Sequence, residues 1–254
     1  MQRLGKEIEA NFRRFCSTWR ADIQSVTSSL DSAESVFRTS YFRLVSIQAW
    51  RSELLEHVLP ADALAFFVEA QNDAVVSHLL AHLGCWRPAL QALRSLIENA
   101  MRAVCYMDHP VELRLWHTHK HTLGFAELVK YLLSHPDVSH AGLVKHAVAD
   151  IKKEYQTLSL AVHASAKSFR MTSDQDTTVL FCDDSVPLRR WSTHEKHVLS
   201  GLNLLLISLF SKELQGAKLR NLRKAVSFAV PTSKHPHVLR QLKVRLLRAS
   251  QPAP

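Results

Sequence analysis

The stretch YQTLSLAVHAS, residues 155–165, is mostly apolar but carries Tyr155, Ser159 and His163 at steps of four. On a helix that spacing places all three side chains on one face, roughly a turn apart. A second stripe lies upstream, where Arg94, Glu98, Arg102 and Cys105 follow at steps of four, four and three. Leu93, Leu96, Ile97, Ala100, Met101 and Val104 fill the rest of that segment, so its helix is apolar over most of its girth. Arginine and glutamate are rarely buried without partners. The two stripes therefore suit a polar patch between facing helices. Such a patch has the groups for metal-independent RNA cleavage. A histidine can take the proton from a ribose 2′-OH or give one to the leaving 5′-oxygen. An arginine can stabilise the charge on the scissile phosphate, and a carboxylate can orient the imidazole. The simpler reading is an i,i+4 Arg94–Glu98 pair facing solvent and a core histidine bonded to a neighbour.

The elements that would hold these groups read as helices. Six glycines in 254 residues leave few turns, and leucine and alanine are abundant while β-branched runs are rare. Leu4, Ile8, Phe12, Phe15, Trp19 and Ile23 mark an amphipathic first helix over 3–30. A second runs from Ser32, read as its N-cap, to Val58 and stops at Pro60. A third covers 63–83 and closes at Gly84, a C-cap signal. The fourth starts near Trp86, with Pro88 in its first turn, and ends at the HP pair 109–110. Helices over 111–119, 123–134 and 140–168 follow. DQDTTVLFCDD (174–184) and the VPLRRW after it read as a short hairpin or irregular loop. Ser192 with Glu195 three residues on forms a capping-box pattern that opens a helix over 192–214. Basic segments at 217–229 and 236–249 complete the chain, the last as an amphipathic helix over VLRQLKVRLLR, 238–248.

The segments LRSLIENAMRAVCYMDHPVELRLW (93–116) and KKEYQTLSLAVHASAKSF (152–169) resemble the HEPN superfamily, in particular small stand-alone HEPN proteins of bacterial mobile elements and defence islands. The resemblance spans roughly 63–214. It implies an all-α fold around a four-helix bundle, often dimeric. It also implies metal-independent endoribonuclease activity in a toxin or antiphage system, with no cofactor and no metal. The superfamily signature is Arg, four to six residues, then His. No arginine stands at that distance before His163, so Arg94 or Arg102 would have to supply the guanidinium from the other helix. The spacing does occur at Arg102/His109 and at Arg189/His194. His163, Arg94 and Glu98 are the leading catalytic candidates, and Arg102, His109, Tyr155 and Ser159 follow. The alternative is a catalytically inactive HEPN-like interaction module that binds nucleic acid or a partner protein of a defence complex.

The charge is lopsided. Residues 212–254 hold ten Lys/Arg and one acid, while 1–211 hold 22 of each sign, so the whole net charge of +9 sits in the C-terminal sixth. Lys218, Arg220, Arg223, Lys224, Arg240, Lys243, Arg245 and Arg248 are the candidate nucleic-acid contacts, with RNA as the expected partner. A solvated, solubilising face is the other reading. Lysine and arginine there would lend affinity without reading sequence. The chain thus divides into 1–62 (N-terminal helices), 63–214 (HEPN-like domain) and 215–254 (basic helical extension). The start, MQRLGKEIEANFRRF, has no signal-peptide pattern, and the most apolar run, 198–210, is too short to span a bilayer. Four scattered cysteines without a CxxC pair read as reduced thiols, which suits a cytoplasmic protein. HTHKH (117–121), the 194/197 histidines and the 235/237 pair read as a polar loop or helix end rather than metal ligands. Absence of a Gly-rich phosphate loop, GxSxG and HExxH argues against a nucleotide hydrolase, an α/β hydrolase or a zincin.

Overall fold

The computed structural model describes residues 2–139, 142–163, 169 and 181–247. All regular structure among them is helical. The helices are α1 (Gln2–Leu30), α2 (Glu34–Trp50), α3 (Glu56–Val58), α4 (Ala61–His82), α5 (Trp86–Asp108), α6 (Pro110–His117), α7 (Phe125–Ser134), α8 (Pro136–Ser139), α9 (Gly142–His163), α10 (Ser185–Leu209), α11 (Ser211–Leu214), α12 (Arg220–Ala229) and α13 (His235–Leu242). A π-helical turn, Arg51–Leu55, links α2 to α3. No helix among the described residues is long and apolar enough to cross a membrane.

The core lies between α2, α4, α5, α9 and α10. α4 and α5 run as a hairpin; α9 packs on α5 and α10, and α10 on α2. Trp50, Phe67, Leu93, Ile97, Met101, Leu158, Trp191 and Leu205 fill the space between them. The hairpin turns at Gly84, whose φ of +67° favours a residue without Cβ. The carbonyl and amide of Cys182 lie where a Cβ on Gly84 would point. α9 packs tightly on α10 at Gly201, where an added Cβ would lie 2.6 Å from Ile151 Cγ1. Gly201→Ala is therefore expected to cost about 1–3 kcal/mol of stability, read by urea denaturation, because Ile151 must leave its rotamer. An unchanged midpoint would mean the two helices can part freely.

Several sequence expectations need correction. Ser32 does not cap a helix; its hydroxyl donates back to the Ser29 carbonyl at 2.8 Å. α10 begins at Ser185, not at 192, and its N-cap is Asp184, whose carboxylate accepts from Val186 N at 2.8 Å. VPLRRW is thus helical, with Pro187 tolerated in the first turn, where no intrahelical N–H bond is lost. Of the hairpin or loop, 181–184 is irregular and 174–180 lies outside the described residues. Ser192 and Glu195 sit mid-helix, so they form no capping box, and Glu195 is buried in the core. α13 ends at Leu242, and residues 243–247 are not helical. Lys243 closes α13 in the left-handed region, at φ +59°, and beyond it Val244 and Leu246 are buried on either side of exposed Arg245, a period of two. α12 packs on α2 and α10, so this basic segment is built into the body.

α1 carries its apolar stripe outward. Leu4, Ile8, Phe12 and Phe15 are exposed, and Val26 and Leu30 at its end enter the core.

Candidate functional site

The two stripes meet. α5 presents Arg94, Glu98 and Arg102 to α9, which presents Tyr155 and Ser159. Arg94 Nε donates to Ser159 Oγ at 3.2 Å, and Arg94 Nη2 donates to the Tyr155 hydroxyl. Nη2 also lies 2.9 Å from Glu98 Oε1. The Tyr155 hydroxyl donates to that same oxygen at 2.5 Å, while Arg102 Nη2 stands 3.8 Å from Glu98 Oε2. Phe125 stacks on the Tyr155 ring at 3.5 Å between centroids, and the Arg94 guanidinium carbon lies 4.6 Å from the same centroid. The ring thus fixes the guanidinium both by its hydroxyl and by its π face.

The cluster is half-open: the side chains of Arg94, Glu98 and Arg102 are 27%, 18% and 28% exposed. Burial and the Glu98 carboxylate push the Tyr155 hydroxyl up to about 12, so it serves as a hydrogen-bond donor and not as a base. His163 is exposed at the end of α9, one turn beyond Ser159 on the same face.

Arg87 was not anticipated. Its Nε donates to the Ala161 carbonyl at 2.8 Å and its Nη2 to the Val162 carbonyl at 3.1 Å. It therefore ties the start of α5 to the α9 backbone just before His163. The signal was present in the sequence, since Arg87 stands two helical turns before Arg94 on the same face.

His109 stands apart from this cluster. Its Nδ1 donates to the Cys105 carbonyl at 2.8 Å, and its ring meets the Tyr131 ring edge-on. Burial, with Asp108 and Glu112 adding to it, pushes the Cys105 thiol up to about 12, which leaves it inert as a nucleophile. Arg189 turns back to Ser185 while His194 turns to Glu154, so that Arg/His spacing builds no site. His194 and His197 are nonetheless organised: their Nδ1 atoms donate to the two oxygens of Glu154 at 2.6 and 2.8 Å. Burial acts to raise the Glu154 carboxyl, but these two bonds outweigh it and hold it below the usual range. No group of three or more His, Cys, Asp or Glu among the described residues could hold a metal ion.

Of the basic candidates, Lys218, Arg220, Lys224, Arg240, Lys243 and Arg245 are exposed, and Arg248 lies outside the described residues. Arg223 is buried, so it is not a free nucleic-acid contact.

No protein family, curated protein or solved structure matches this chain.

Proposed function

We propose that the protein is a metal-independent endoribonuclease of the HEPN class, with the α5/α9 face as its RNA-cleaving site. The observation that carries this reading is the convergence of Arg94, Glu98, Arg102, Tyr155 and Ser159 from two helices onto one half-open face that ends at exposed His163. His163 is the acid or base, and Arg94 the phosphate stabiliser, oriented by Tyr155, Ser159 and Glu98. Arg87 holds the α9 backbone just before His163. The exposed cations of 218–245 would hold the RNA backbone. The resemblance of 93–116 and 152–169 to HEPN sequences supports this class and a role in a toxin or antiphage system.

One observation favours a second reading, an interaction module without catalysis. The Arg94 guanidinium is already engaged by Tyr155, Ser159 and Glu98, and would have to exchange partners to reach a phosphate.

The deciding experiment incubates wild type, His163→Ala and Arg94→Ala with total cellular RNA in EDTA. Circular dichroism first establishes that each variant is folded. Cleavage by the wild type is expected to survive EDTA, to fall by roughly 10²–10⁴-fold in His163→Ala, and to fall at least about tenfold in Arg94→Ala. Wild-type protein that binds RNA without cutting it would overturn the enzyme reading in favour of the module.

A further inference from the structure

A cavity of about 300 Å³ opens between α9, α10 and the Pro231–Lys234 turn, on residues the α5/α9 site does not use. Lys153 of α9, Lys196 of α10 and Lys234 surround it, and Ser200 and Gly201 line it from α10. Ser200 is 5% exposed, and its Oγ has no hydrogen-bond partner among the described residues. A buried hydroxyl in a helix ordinarily bonds back to a carbonyl one turn earlier. Leaving one unpaired costs free energy, and such groups call for an explanation.

The charges around it are unevenly spent. Lys234 faces Asp150 at 3.8 Å, and both oxygens of Glu154 are taken by His194 and His197. Lys153 and Lys196 have no ion-pair partner among the described residues. The cavity therefore offers two uncommitted ammonium groups and one buried hydroxyl donor, and the two carboxylates that also line it, Asp150 and Glu154, are engaged by Lys234 and by His194 and His197. That set suits a small dianion with several oxygens to share. Ammonium groups bind phosphate as point charges, without the planar match that a carboxylate finds in arginine. The volume is larger than a phosphate ion needs and lies at the lower end for small-molecule sites. No Phe, Tyr or Trp among the described residues lines it, so they give it no platform for stacking a base.

We infer that this cavity binds a small phosphate monoester, with the phosphate dianion held by Lys153, Lys196 and the Ser200 hydroxyl. The site is independent of the ribonuclease reading.

The test is titration calorimetry at fixed ionic strength with ribose 5-phosphate as probe. Ribose and an oligoribonucleotide lacking terminal phosphates are the comparison ligands. Ribose 5-phosphate is expected to bind and ribose not to. Lys153→Gln/Lys196→Gln should weaken binding at least tenfold, and Ser200→Ala at least fivefold. Ser200→Ala should also leave the melting temperature of the free protein unchanged or raised, because it removes an unpaired buried hydroxyl. His163→Ala should bind ribose 5-phosphate as the wild type does. The proposal is overturned if ribose 5-phosphate fails to bind, or if it binds the Ser200 and lysine variants with wild-type affinity. It is overturned equally if the oligoribonucleotide alone binds in a manner that those variants abolish, for the groove would then track RNA backbone.

Discussion

Arg43→Met is expected to destabilise the protein by roughly 3–5 kcal/mol, the range for removing one partner of a buried ion pair. Arg43 Nε donates to Glu195 Oε2 at 2.7 Å, and Nη2 lies 2.5 Å from the same oxygen. Their side chains are 7% and 1% exposed, so neither charge has water to fall back on. Burial raises the Glu195 carboxyl to about 7 even though Arg43 and Ser40 pull it down, so without Arg43 burial would be opposed by Ser40 alone. The pair need not be worth that much in itself. Taking both charges out of water is costly, and a well-packed apolar pair can match it. Arg43→Met combined with Glu195→Leu is therefore expected to recover at least about 2 kcal/mol relative to Arg43→Met alone. Chemical denaturation of the four proteins in the cycle measures this. Additive losses would mean the two residues act separately, and that the contact is incidental to stability.

This pair also marks where the sequence stopped being informative. Ser192 and Glu195 carry the capping-box spacing, yet the partner of Glu195 stands 152 residues away on α2. No local pattern points to it, because the pair is made by the packing of α10 on α2 and not by either helix alone. The true start of α10 was hidden for a related reason. Pro187 suggests a break, but a proline in the first turn loses no intrahelical bond, and Asp184 had already capped the helix. The α5 and α9 stripes were legible because they are local. Steps of four on two apolar helices dictate two polar lines, and two such lines on packed helices have little choice but to meet. The C-terminal segment misled because Leu242, Val244 and Leu246 fit an apolar helix face loosely and a period of two well. Only burial distinguishes the two, and it places Val244 and Leu246 inward with Lys243 and Arg245 outward. The Arg94–Glu98 pair shows both readings at once: the i,i+4 salt bridge forms, and it also reaches across to α9.

Acid should loosen the protein through His78. The polar chain that ends at Glu195 has a direction. Ser40 donates to Glu195 Oε1 at 3.1 Å, so its oxygen is left to accept from His78 Nδ1 at 2.9 Å. His78 then has a bare Nε2, which accepts from His82 Nε2 at 3.2 Å. Each ring is neutral in this arrangement, and a second proton on His78 would set two N–H groups against each other. Burial, then His82 and Arg43, lower the His78 imidazole to about 4, and burial lowers His82 as well. Phe37 and Trp191 pack near His78 and add no compensating charge. The unfolded chain takes up a proton near 6.5 and the folded chain does so only near 4. Stability from this group is thus fully present above pH 6.5 and is lost as pH falls through the folded value. The expected loss between pH 7 and pH 4 is on the order of 2–3 kcal/mol. Glu195 works in the opposite sense across part of that range, since its raised carboxyl binds a proton more readily in the folded state. A simple melting curve therefore sums two opposed slopes. His78→Asn separates them: the amide keeps a polar group beside Ser40 but does not titrate. The variant should be the less stable protein at pH 7, and the gap to wild type should close by about 2 kcal/mol or more by pH 4.5. A gap that stays constant with pH would mean that His78 takes up its proton equally well in the folded and unfolded chain, and that the chain from His82 to Glu195 carries no penalty for charge.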